Sequence, residues 1–189
     1  GLIALYETTF DEHWLNQAKE LTDYVVAHFY DEASGMFFYT SDSGETLIAR
    51  KHEIMDNVIP SANSVMAHNL AKLGKLYQNK VYVELSAQML RNVHSQIKNY
   101  GSAYSNWASL LLNEVFGVFE LAITGPESLQ KRQEIDKFHI PNKILLGGSK
   151  GSLPLLQDKW GTQTRIFVCH NNTCQLPVTA VAEALTYIH

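Results

Sequence analysis

The sequence predicts a mainly α-helical protein built from helical hairpins, with a small α/β appendage at its C-terminal end. Residues 1–116 contain four long segments whose apolar residues recur at helical spacing, and residues 117–189 contain short apolar runs around a polar helical segment. The chain has 189 residues, of which 46% are hydrophobic and 18% charged, which is typical of a globular protein. A chain of this length can bury a core that needs no disulfide or metal ion to stabilise it.

Charge and hydropathy exclude several classes of partner. A net charge of −4 provides no basic surface of the kind that nucleic-acid-binding proteins use. No run of about 18 apolar residues is present, so we expect no membrane-spanning helix. The first segment, "GLIALYETTF", lacks the basic flank and the cleavage site of a signal peptide, and no motif requires a cofactor or a metal ion. We therefore expect a cytoplasmic protein without a nucleic-acid or membrane partner.

Two helices are predicted within the first 30 residues. Residues 2–6 are mostly apolar and resemble the last turns of an amphipathic helix, so we expect the chain to be part of a longer protein. Thr9 and Glu12 fit a capping box, in which each side chain accepts a hydrogen bond from a free amide at the start of a helix. The apolar positions of the helix that follows are Trp14, Ala18, Leu21, Val25 and Phe29.

A β-hairpin and three further helices are predicted before residue 117. The segments "MFFYT" and "TLIAR" flank the glycine-containing loop "SDSGE" and are predicted to pair as a hairpin. Pro60 and Ser61 begin the next helix, with Ser61 as its N-cap. Its apolar stripe consists of Met66, Leu70, Leu73 and Tyr77. Another helix is predicted over residues 80–97, and the last begins near Ser102, after the helix-breaking segment "YGS".

The appendage is predicted to contain a parallel βαβ unit. Its strands are "VFELAITG" and "NKILLGG", and the segment between them, "PESLQKRQEIDKFH", is a polar helix with Pro126 near its first position. Two parallel strands need a crossover connection of about this length. A third strand, "TRIFVC", precedes a closing helix in "TAVAEALTYI", which Pro177 is predicted to start.

The segment "RKHEIMDNVIPSANS", residues 50–64, concentrates charged, amide and hydroxyl side chains around one proline. Such groups cannot be buried unpaired, so they must bond to one another, to backbone or to a ligand. Under a structural interpretation, Arg50 forms a buried ion pair with Glu53 or Asp56. The hydroxyl and amide side chains then only cap the next helix or bond to nearby backbone; they are Ser61, Asn63 and Ser64. Under a functional interpretation, the same groups bind a polyhydroxylated ligand.

Several motifs together resemble a known family. A helix that ends in D-x-x-x-G-x-F-F-Y-T is followed by "DNVIPSANSVMAHNLAKLG", and the tail contains "PNKILL" and "VCHNNTCQLPV". This combination resembles the thioredoxin-domain-containing, spermatogenesis-associated-protein-like family. The resemblance implies a thioredoxin-like domain followed by a six-hairpin (α/α)₆ toroid, similar to those of N-acylglucosamine 2-epimerases and six-hairpin glycosidases. This chain would be the C-terminal part of such a protein, and its partner would be the missing N-terminal half or another copy.

The resemblance also implies that residues 50–64 line the toroid's cavity and hold a sugar. Glu53 and Asp56 are candidates for a catalytic acid/base pair in glycosidase- or epimerase-like chemistry of the full-length protein. The expected substrate-binding residues are Arg50, Ser61, Asn63, Ser64 and Tyr39, with Phe38 as an alternative aromatic. His52 and His68 are candidate proton carriers by residue type alone.

The segment "CHNNTC" leaves three interpretations open. Cys169 and Cys174 could form a disulfide, or could join His170 as zinc ligands, or could both be reduced thiols, which is the simplest expectation. A redox or structural pair is attractive because the family carries a thioredoxin-like domain that could exchange with these thiols. The spacing is not Cys-x-x-Cys, so a thioredoxin motif is excluded from this chain.

Two functions of different classes follow. The favoured one is a carbohydrate-binding or carbohydrate-processing part of an α/α toroid. The alternative is a non-catalytic module that supports the thiol chemistry of the missing thioredoxin-like domain, and a plain scaffold is a third possibility. The glycine-rich segment "LLGGSKGS" lacks the G-x-x-x-x-G-K-[ST] arrangement of a phosphate-binding loop, so we expect a flexible turn there.

Overall fold

A computed structural model of the chain describes residues 1–45, 48–171 and 173–188. The chain divides into two compact units. We call residues 18–75 and 79–112 the helical unit, and residues 1–17, 76–78 and 113–189 the α/β unit. About half of the described residues are helical, in agreement with the prediction of a mainly α-helical protein.

The described residues form seven α-helices, six short strands and two 3₁₀ turns. The helices are α1 (Leu2–Thr9), α2 (Glu12–Phe29), α3 (Ala62–Leu76), α4 (Lys80–Asn99), α5 (Ser105–Phe116), α6 (Ser128–Ile135) and α7 (Val181–Leu185). The strands are β1 (Tyr30–Asp31), β2 (Met36–Phe37), β3 (Phe119–Thr124), β4 (Lys143–Gly148), β5 (Arg165–His170) and β6 (Thr173–Cys174). The 3₁₀ turns are Gly101–Tyr104 and Pro154–Leu156. Each of these helices is too short or too polar to cross a lipid bilayer.

Side-chain caps fix the starts of two long helices. The side chain of Asn79 accepts hydrogen bonds from two amides in the first turn of α4, at 3.0 and 3.3 Å. The hydroxyl of Ser61 accepts a hydrogen bond from the amide of Ser64 at 3.1 Å, which confirms Ser61 as the N-cap of α3. Caps of this kind typically contribute about 1 kcal/mol each.

The capping box predicted for Thr9 and Glu12 is wrong. Phe10 adopts a left-handed conformation, with φ of 55°, and ends α1. Thr9 therefore lies inside α1, where its hydroxyl donates to a carbonyl one turn earlier. Asp11 caps α2 instead, because its carboxylate accepts a hydrogen bond from the amide of His13 at 3.0 Å. The side chain of Glu12 is thereby left available for a contact elsewhere in the α/β unit.

The long helices bury broad apolar faces, as the sequence predicts. The predicted stripe of α3 is confirmed for Met66, Leu70 and Leu73, which are all buried. The buried side chains of α4 are Tyr82, Ser86, Met89, Leu90 and Val93. In α2 the predicted stripe is confirmed at Ala18, which is buried, but not at Leu21, which is 59% exposed. The buried face instead includes Leu15 and Thr22.

The predicted hairpin between "MFFYT" and "TLIAR" is wrong in its pairing. The antiparallel pair is β1 with β2, so Tyr30 lies opposite Phe37. The turn between them is tight because Gly35 takes a φ of 67° and its amide donates to the carbonyl of Asp31 at 2.8 Å. Phe38 instead forms an isolated bridge with His52. Thr46 and Leu47 of the predicted second strand lie outside the described residues.

The α/β unit contains a four-stranded sheet in the order β4-β3-β5-β6. β3 and β4 are parallel and are joined by α6, which confirms the predicted βαβ unit. β5 runs antiparallel to β3, and β6 is antiparallel to β5. The core against this sheet is apolar and includes Phe10, Phe119, Leu121, Ile123, Ile135, Leu145, Ile166, Val168 and Val181.

The closing helix does not start at Pro177. Ile166 and Val178 exchange two backbone hydrogen bonds, at 2.7 and 3.0 Å, so the chain after β6 continues extended beside β5. Helix α7 can begin only after this pairing ends, and its first residue is Val181.

Gly147 gives a direct test of the parallel strand pair. Its φ is 156°, and a Cβ at this position would overlap the carbonyl oxygen of Ile123 on β3. We therefore expect Gly147→Ala to lower the free energy of unfolding by roughly 3 kcal/mol or more, since backbone strain and overpacking act together. Chemical denaturation of the purified variant measures this.

Gly161→Ala is the matched control in the same unit. The nearest atom to a Cβ there is 3.9 Å away, so the free energy of unfolding should change by less than about 0.5 kcal/mol. Equal effects of the two substitutions would contradict the close approach of β3 and β4.

Candidate functional site

A polar latch, which we define as Asp56, Ser61, Ser64 and Asn106, holds the predicted site segment. Asp56 is buried, and one carboxylate oxygen accepts from the hydroxyl of Ser64 at 2.7 Å and the amide of Ser61 at 2.9 Å. The other oxygen accepts from the amide of Asn106 at 2.9 Å. Both amides lie at helix N-termini, α3 and α5, where the helix dipole favours a negative charge. The loop and two helices of the helical unit therefore meet at one buried carboxylate.

The carbonyl of Ile54 is a second fixed point of the same loop. It accepts a hydrogen bond from the hydroxyl of Ser61 at 2.8 Å and another from the indole nitrogen of Trp107 at 2.8 Å. Trp107 is fully buried on α5, so it anchors the loop to the core of the helical unit. The backbone at Ile54 is therefore held from α3 and α5 at once.

Asn63 clamps two backbone segments together. Its side-chain amide donates to the carbonyls of Phe37 at 2.8 Å and of Glu53 at 2.9 Å, and its side-chain oxygen accepts from the amide of Phe37 at 2.8 Å. Asn63 is 1% exposed, so its polar atoms are used within the protein. The clamp fixes β2 beside residue 53, and it leaves the side chain of Glu53 unconstrained by this contact.

Arg50 does not form the ion pair considered from the sequence. Its guanidinium donates to the carbonyls of Thr40 and His28, the latter at 3.2 Å, and lies 4.1 Å from the ring centroid of Phe38. In the part of the chain that the structure describes, neither Glu53 nor Asp56 pairs with it. Arg50 thus stabilises the loop through carbonyls and a cation–π contact.

A cavity of about 550 Å³ in the helical unit lies beside this loop. Its polar lining consists of Ser34, His52, Glu53, Asn92, Gln96 and Tyr104. The carboxylate of Glu53 is exposed and has no partner among the described residues. Tyr104 is buried, with 6% of its surface exposed, and its hydroxyl likewise has no partner among residues 1–45, 48–171 and 173–188. The cavity therefore offers unused acceptors and donors.

His52 is oriented by a carboxylate at the rim of this cavity. Its Nε2 lies 3.0 Å from the carboxylate of Asp31 and 3.2 Å from the hydroxyl of Ser34. Its ring stacks on Phe38, with centroids 4.4 Å apart. A hydrogen bond from Ser34 is the main cause that lowers the pKa of Asp31, and His52 lowers that pKa further. Asp31 therefore stays ionised and holds the imidazole in place.

The structure separates the predicted site residues into two groups. Glu53 alone of the predicted catalytic and binding side chains lines the cavity, next to the candidate proton carrier His52. The side chains of Asp56, Ser61, Asn63 and Ser64 are buried in the hydrogen bonds described above. Tyr39 is 67% exposed and, like Phe38, does not line the cavity. The catalytic pairing of Glu53 with Asp56 stays a prediction.

Four polar residues of the cavity were not predicted from the sequence: Ser34, Asn92, Gln96 and Tyr104. Asn92 and Gln96 are four positions apart on α4 and thus share a face with the buried residues Met89 and Val93. A pair of amides beside an apolar stripe is a signal that helical periodicity could have identified. Tyr104 precedes α5 in a 3₁₀ turn, where periodicity carries no such information.

His68, the second candidate proton carrier, has a structural partner. Its Nε2 lies 2.9 Å from the carbonyl of Asn106 and 3.2 Å from the hydroxyl of Ser109, so the ring joins α3 to α5. Burial is the main cause that lowers the pKa of His68 below its usual value, and the neutral ring donates to the carbonyl. His68 does not line the cavity beside Glu53.

Cys169 and Cys174 form a disulfide, so the interpretations as reduced thiols and as zinc ligands are wrong. The two residues lie directly opposite each other in the β5–β6 pair, which explains how six consecutive residues can close the bond. The neighbouring His170 is used elsewhere, with Nε2 2.9 Å from the carbonyl of Phe116. Cys174 is exposed whereas Cys169 is buried.

The glycine-rich segment after β4 closes around a carboxylate of the protein itself. Glu12 accepts hydrogen bonds from the amide of Ser152 at 2.8 Å, from the hydroxyl of Ser152 at 2.6 Å and from the amide of Leu153 at 3.3 Å. A Cβ at Gly151 would collide with this carboxylate. The segment was expected to be a flexible turn, but Glu12 fixes it.

The latch makes Asp56 a test of stability. Asp56→Ala leaves the buried amide of Ser61 and the partly buried amide of Asn106 without acceptors, so we expect the free energy of unfolding to fall by roughly 3 kcal/mol. Asn57→Ala, which changes an exposed side chain in the same loop, should change it by less than about 0.5 kcal/mol. Urea denaturation compares the two, and a similar small effect of both would show that the latch contributes nothing.

None of the protein-family models matches the chain. Over its whole length the chain is 27% identical to spermatogenesis-associated protein 20 of Rattus norvegicus and to that of Homo sapiens. Over 97% of its length it is 23% identical to an uncharacterised protein of Caenorhabditis elegans. The chain spans about a quarter of the length of these curated relatives, 26% in each case. The similarity to proteins named spermatogenesis-associated protein 20 therefore extends from one end of this chain to the other, and it supports the family resemblance inferred from the motifs.

Proposed function

We propose that the helical unit binds a carbohydrate in the cavity beside His52 and Glu53, as part of an α/α toroid in a longer thioredoxin-domain protein. The observation that carries this proposal is that the carboxylate of Glu53 and the hydroxyl of Tyr104 share one cavity, and that no described residue bonds to either of them. Binding sites usually combine apolar lining with a few convergent polar groups. Here the apolar lining includes Met36 and Val93.

The donors and acceptors of the cavity suit neighbouring sugar hydroxyls. A carboxylate accepts hydrogen bonds at both of its oxygens, whereas an amide side chain donates and accepts at adjacent atoms. The oxygen of the Gln96 side chain accepts from Ser95 at 2.9 Å, which leaves its NH₂ group available to a ligand. Asp31 holds His52 at the rim of the cavity, and the imidazole can donate a hydrogen bond to a ligand or accept one from it. These groups match the alternating donors and acceptors of a polyhydroxylated ring.

The latch has a positioning role in this proposal. Asp56 and Ser61 of the latch, together with the clamp residue Asn63, fix the backbone on both sides of Glu53, so they hold its carboxylate at the cavity without contacting the ligand. Proton transfer by Glu53 to a bound sugar is the simplest enzymatic extension. The remaining part of a longer chain, or another copy of this one, is the partner proposed to complete the toroid.

Ligand-induced stabilisation tests the sugar site. We expect a monosaccharide, amino sugar or short oligosaccharide to raise the melting temperature, since a ligand at 100-fold its Kd stabilises by about 2.7 kcal/mol. Glu53→Gln should abolish the shift. Tyr104→Phe, which removes only a hydroxyl, should weaken the affinity about tenfold, or about 1.4 kcal/mol.

Glu32→Gln is the matched control, because Glu32 is an exposed glutamate of the same unit outside the cavity. It should leave the ligand-induced shift unchanged. A shift that survives Glu53→Gln, or no shift with any sugar, would contradict the proposed site.

A second function is support of thiol redox chemistry. One observation favours it: Cys174, one of the two cysteines of the disulfide, is exposed. A thiolate of a partner dithiol would attack the sulfur of Cys174, and Cys169 would leave as a thiolate and take up a proton. The partner's second thiolate would then displace Cys174, so that the partner is oxidised to a disulfide and this chain is reduced. The proposed dithiol is a thioredoxin-like domain in the rest of a longer protein.

Thiol counting tests this alternative. After denaturation without reductant we expect no free thiol, and after treatment with a dithiol reductant we expect two, since the chain contains two cysteines. Two free thiols in the unreduced, denatured protein would overturn the disulfide and the redox function with it. The sugar-binding proposal would be unaffected by that result.

A further inference from the structure

A second cavity, of about 700 Å³, lies in the α/β unit where the two parallel strands end. Its lining includes Gly148 at the end of β4 and Lys150 after it, and Pro126 and Ser128 after β3. In open α/β sheets, ligands bind outside the carboxyl ends of parallel strands. The position is therefore suited to a ligand, and the side chains there determine which kind.

Part of the cavity lining presents unused hydrogen-bond donors. The N-cap residue of α6, Glu127, makes no side-chain cap, and the amides of Leu129 and Gln130 have no acceptor in the described part of the chain. Ser128 is 4% exposed, lines the cavity, and its hydroxyl has no partner among the described residues. Lys150 is exposed and has no acidic partner in the same residues. Amides at a helix N-terminus, a hydroxyl and an ammonium group together favour an oxyanion.

The lining also carries negative charge. One carboxylate oxygen of Asp11 caps α2, and no donor among the described residues reaches the other oxygen. Glu12 also lines the cavity, but Ser152 and Leu153 already donate to its carboxylate. Asp11 therefore offers one free acceptor for a cation.

The charge of the lining distinguishes between classes of anion. Two carboxylates and one lysine give the lining a net charge of −1, which disfavours a phosphate dianion through like-charge repulsion. A simple carboxylate would satisfy the donors at α6 but would leave Asp11 unpaired. A zwitterion satisfies both the donors at α6 and the acceptor of Asp11, and the apolar contacts of Phe10, Pro126 and Leu129 can accept a hydrocarbon side chain.

We propose that this cavity binds a small zwitterion with the carboxylate and ammonium groups of an α-amino acid. The carboxylate binds the first-turn amides of α6, the hydroxyl of Ser128 and the side chain of Lys150. The ammonium group binds Asp11. This site is independent of the sugar cavity, because all its residues belong to the α/β unit.

Nuclear magnetic resonance titration of the ¹⁵N-labelled chain tests the site with three probes: L-leucine, acetate and inorganic phosphate. We expect L-leucine to shift the amide resonances of Leu129 and Gln130 saturably. Acetate, which lacks the ammonium group, and phosphate should each bind at least tenfold more weakly. Stronger binding of phosphate than of L-leucine would overturn the zwitterion, and no shift with any probe would overturn the site.

Two variants separate the two ends of the ligand. Asp11→Asn keeps an oxygen that can cap α2 but removes the charge, so L-leucine should bind as weakly as acetate, whereas acetate binding should not weaken. Ser128→Ala should weaken both L-leucine and acetate by about the same factor. Lys137→Gln, which neutralises an exposed lysine outside the cavity, should change neither affinity. An unchanged affinity for L-leucine in both Asp11→Asn and Ser128→Ala would overturn the proposal, even if the resonances shift.

Discussion

The buried carboxylate of Asp56 is the constraint on which the organisation of the helical unit's loop depends. A carboxylate removed from water costs several kcal/mol unless hydrogen bonds and dipoles replace its hydration. The amides at the starts of α3 and α5 and the hydroxyl of Ser64 provide that replacement. The loop can therefore take only the path that brings Asp56 to both helix N-termini. With its backbone fixed in this way, the loop presents the neighbouring side chain of Glu53 to the cavity.

A second carboxylate, that of Glu12 in the α/β unit, is surrounded by hydrogen-bond donors in a similar way. Glu12 is surrounded by the amides of Ser152 and Leu153 and by a serine hydroxyl, much as Asp56 is surrounded in the helical unit. Each carboxylate acts as an internal ligand that gives an irregular segment one conformation. Glu53 and Asp11 differ from them, because each keeps acceptor capacity that no described residue uses. The sequence alone does not distinguish the fully bonded carboxylates of Asp56 and Glu12 from those of Glu53 and Asp11, because they differ only in which hydrogen-bond donors the fold brings to them.

The features that could be predicted from the sequence are those that depend on residues close to one another in the chain. The cap at Ser61, the stripe of α3 and the βαβ unit follow from spacing over a few residues, and all three are present. The role of Glu12 depends on a partner 140 residues away, so its local fit to a capping box was misleading. The disulfide depends on which residues face each other in the β5–β6 pair, and this register is a tertiary property. The cavity residues Asn92 and Gln96 were visible as a polar pair on α4, but nothing in the sequence places them beside Glu53.

The latch also connects parts of the chain that are distant in sequence. Asp56 and Asn106 are 50 residues apart, and both α3 and α4 lie between them. Closing so long a segment has an entropic cost that is recovered only when the contact forms, and contacts of this kind slow folding. The hydrogen bonds around Asp56 consequently belong among the late events of folding, after the helices between them have formed. A cavity that relies on this loop is therefore completed last and is lost early when the helical unit opens locally.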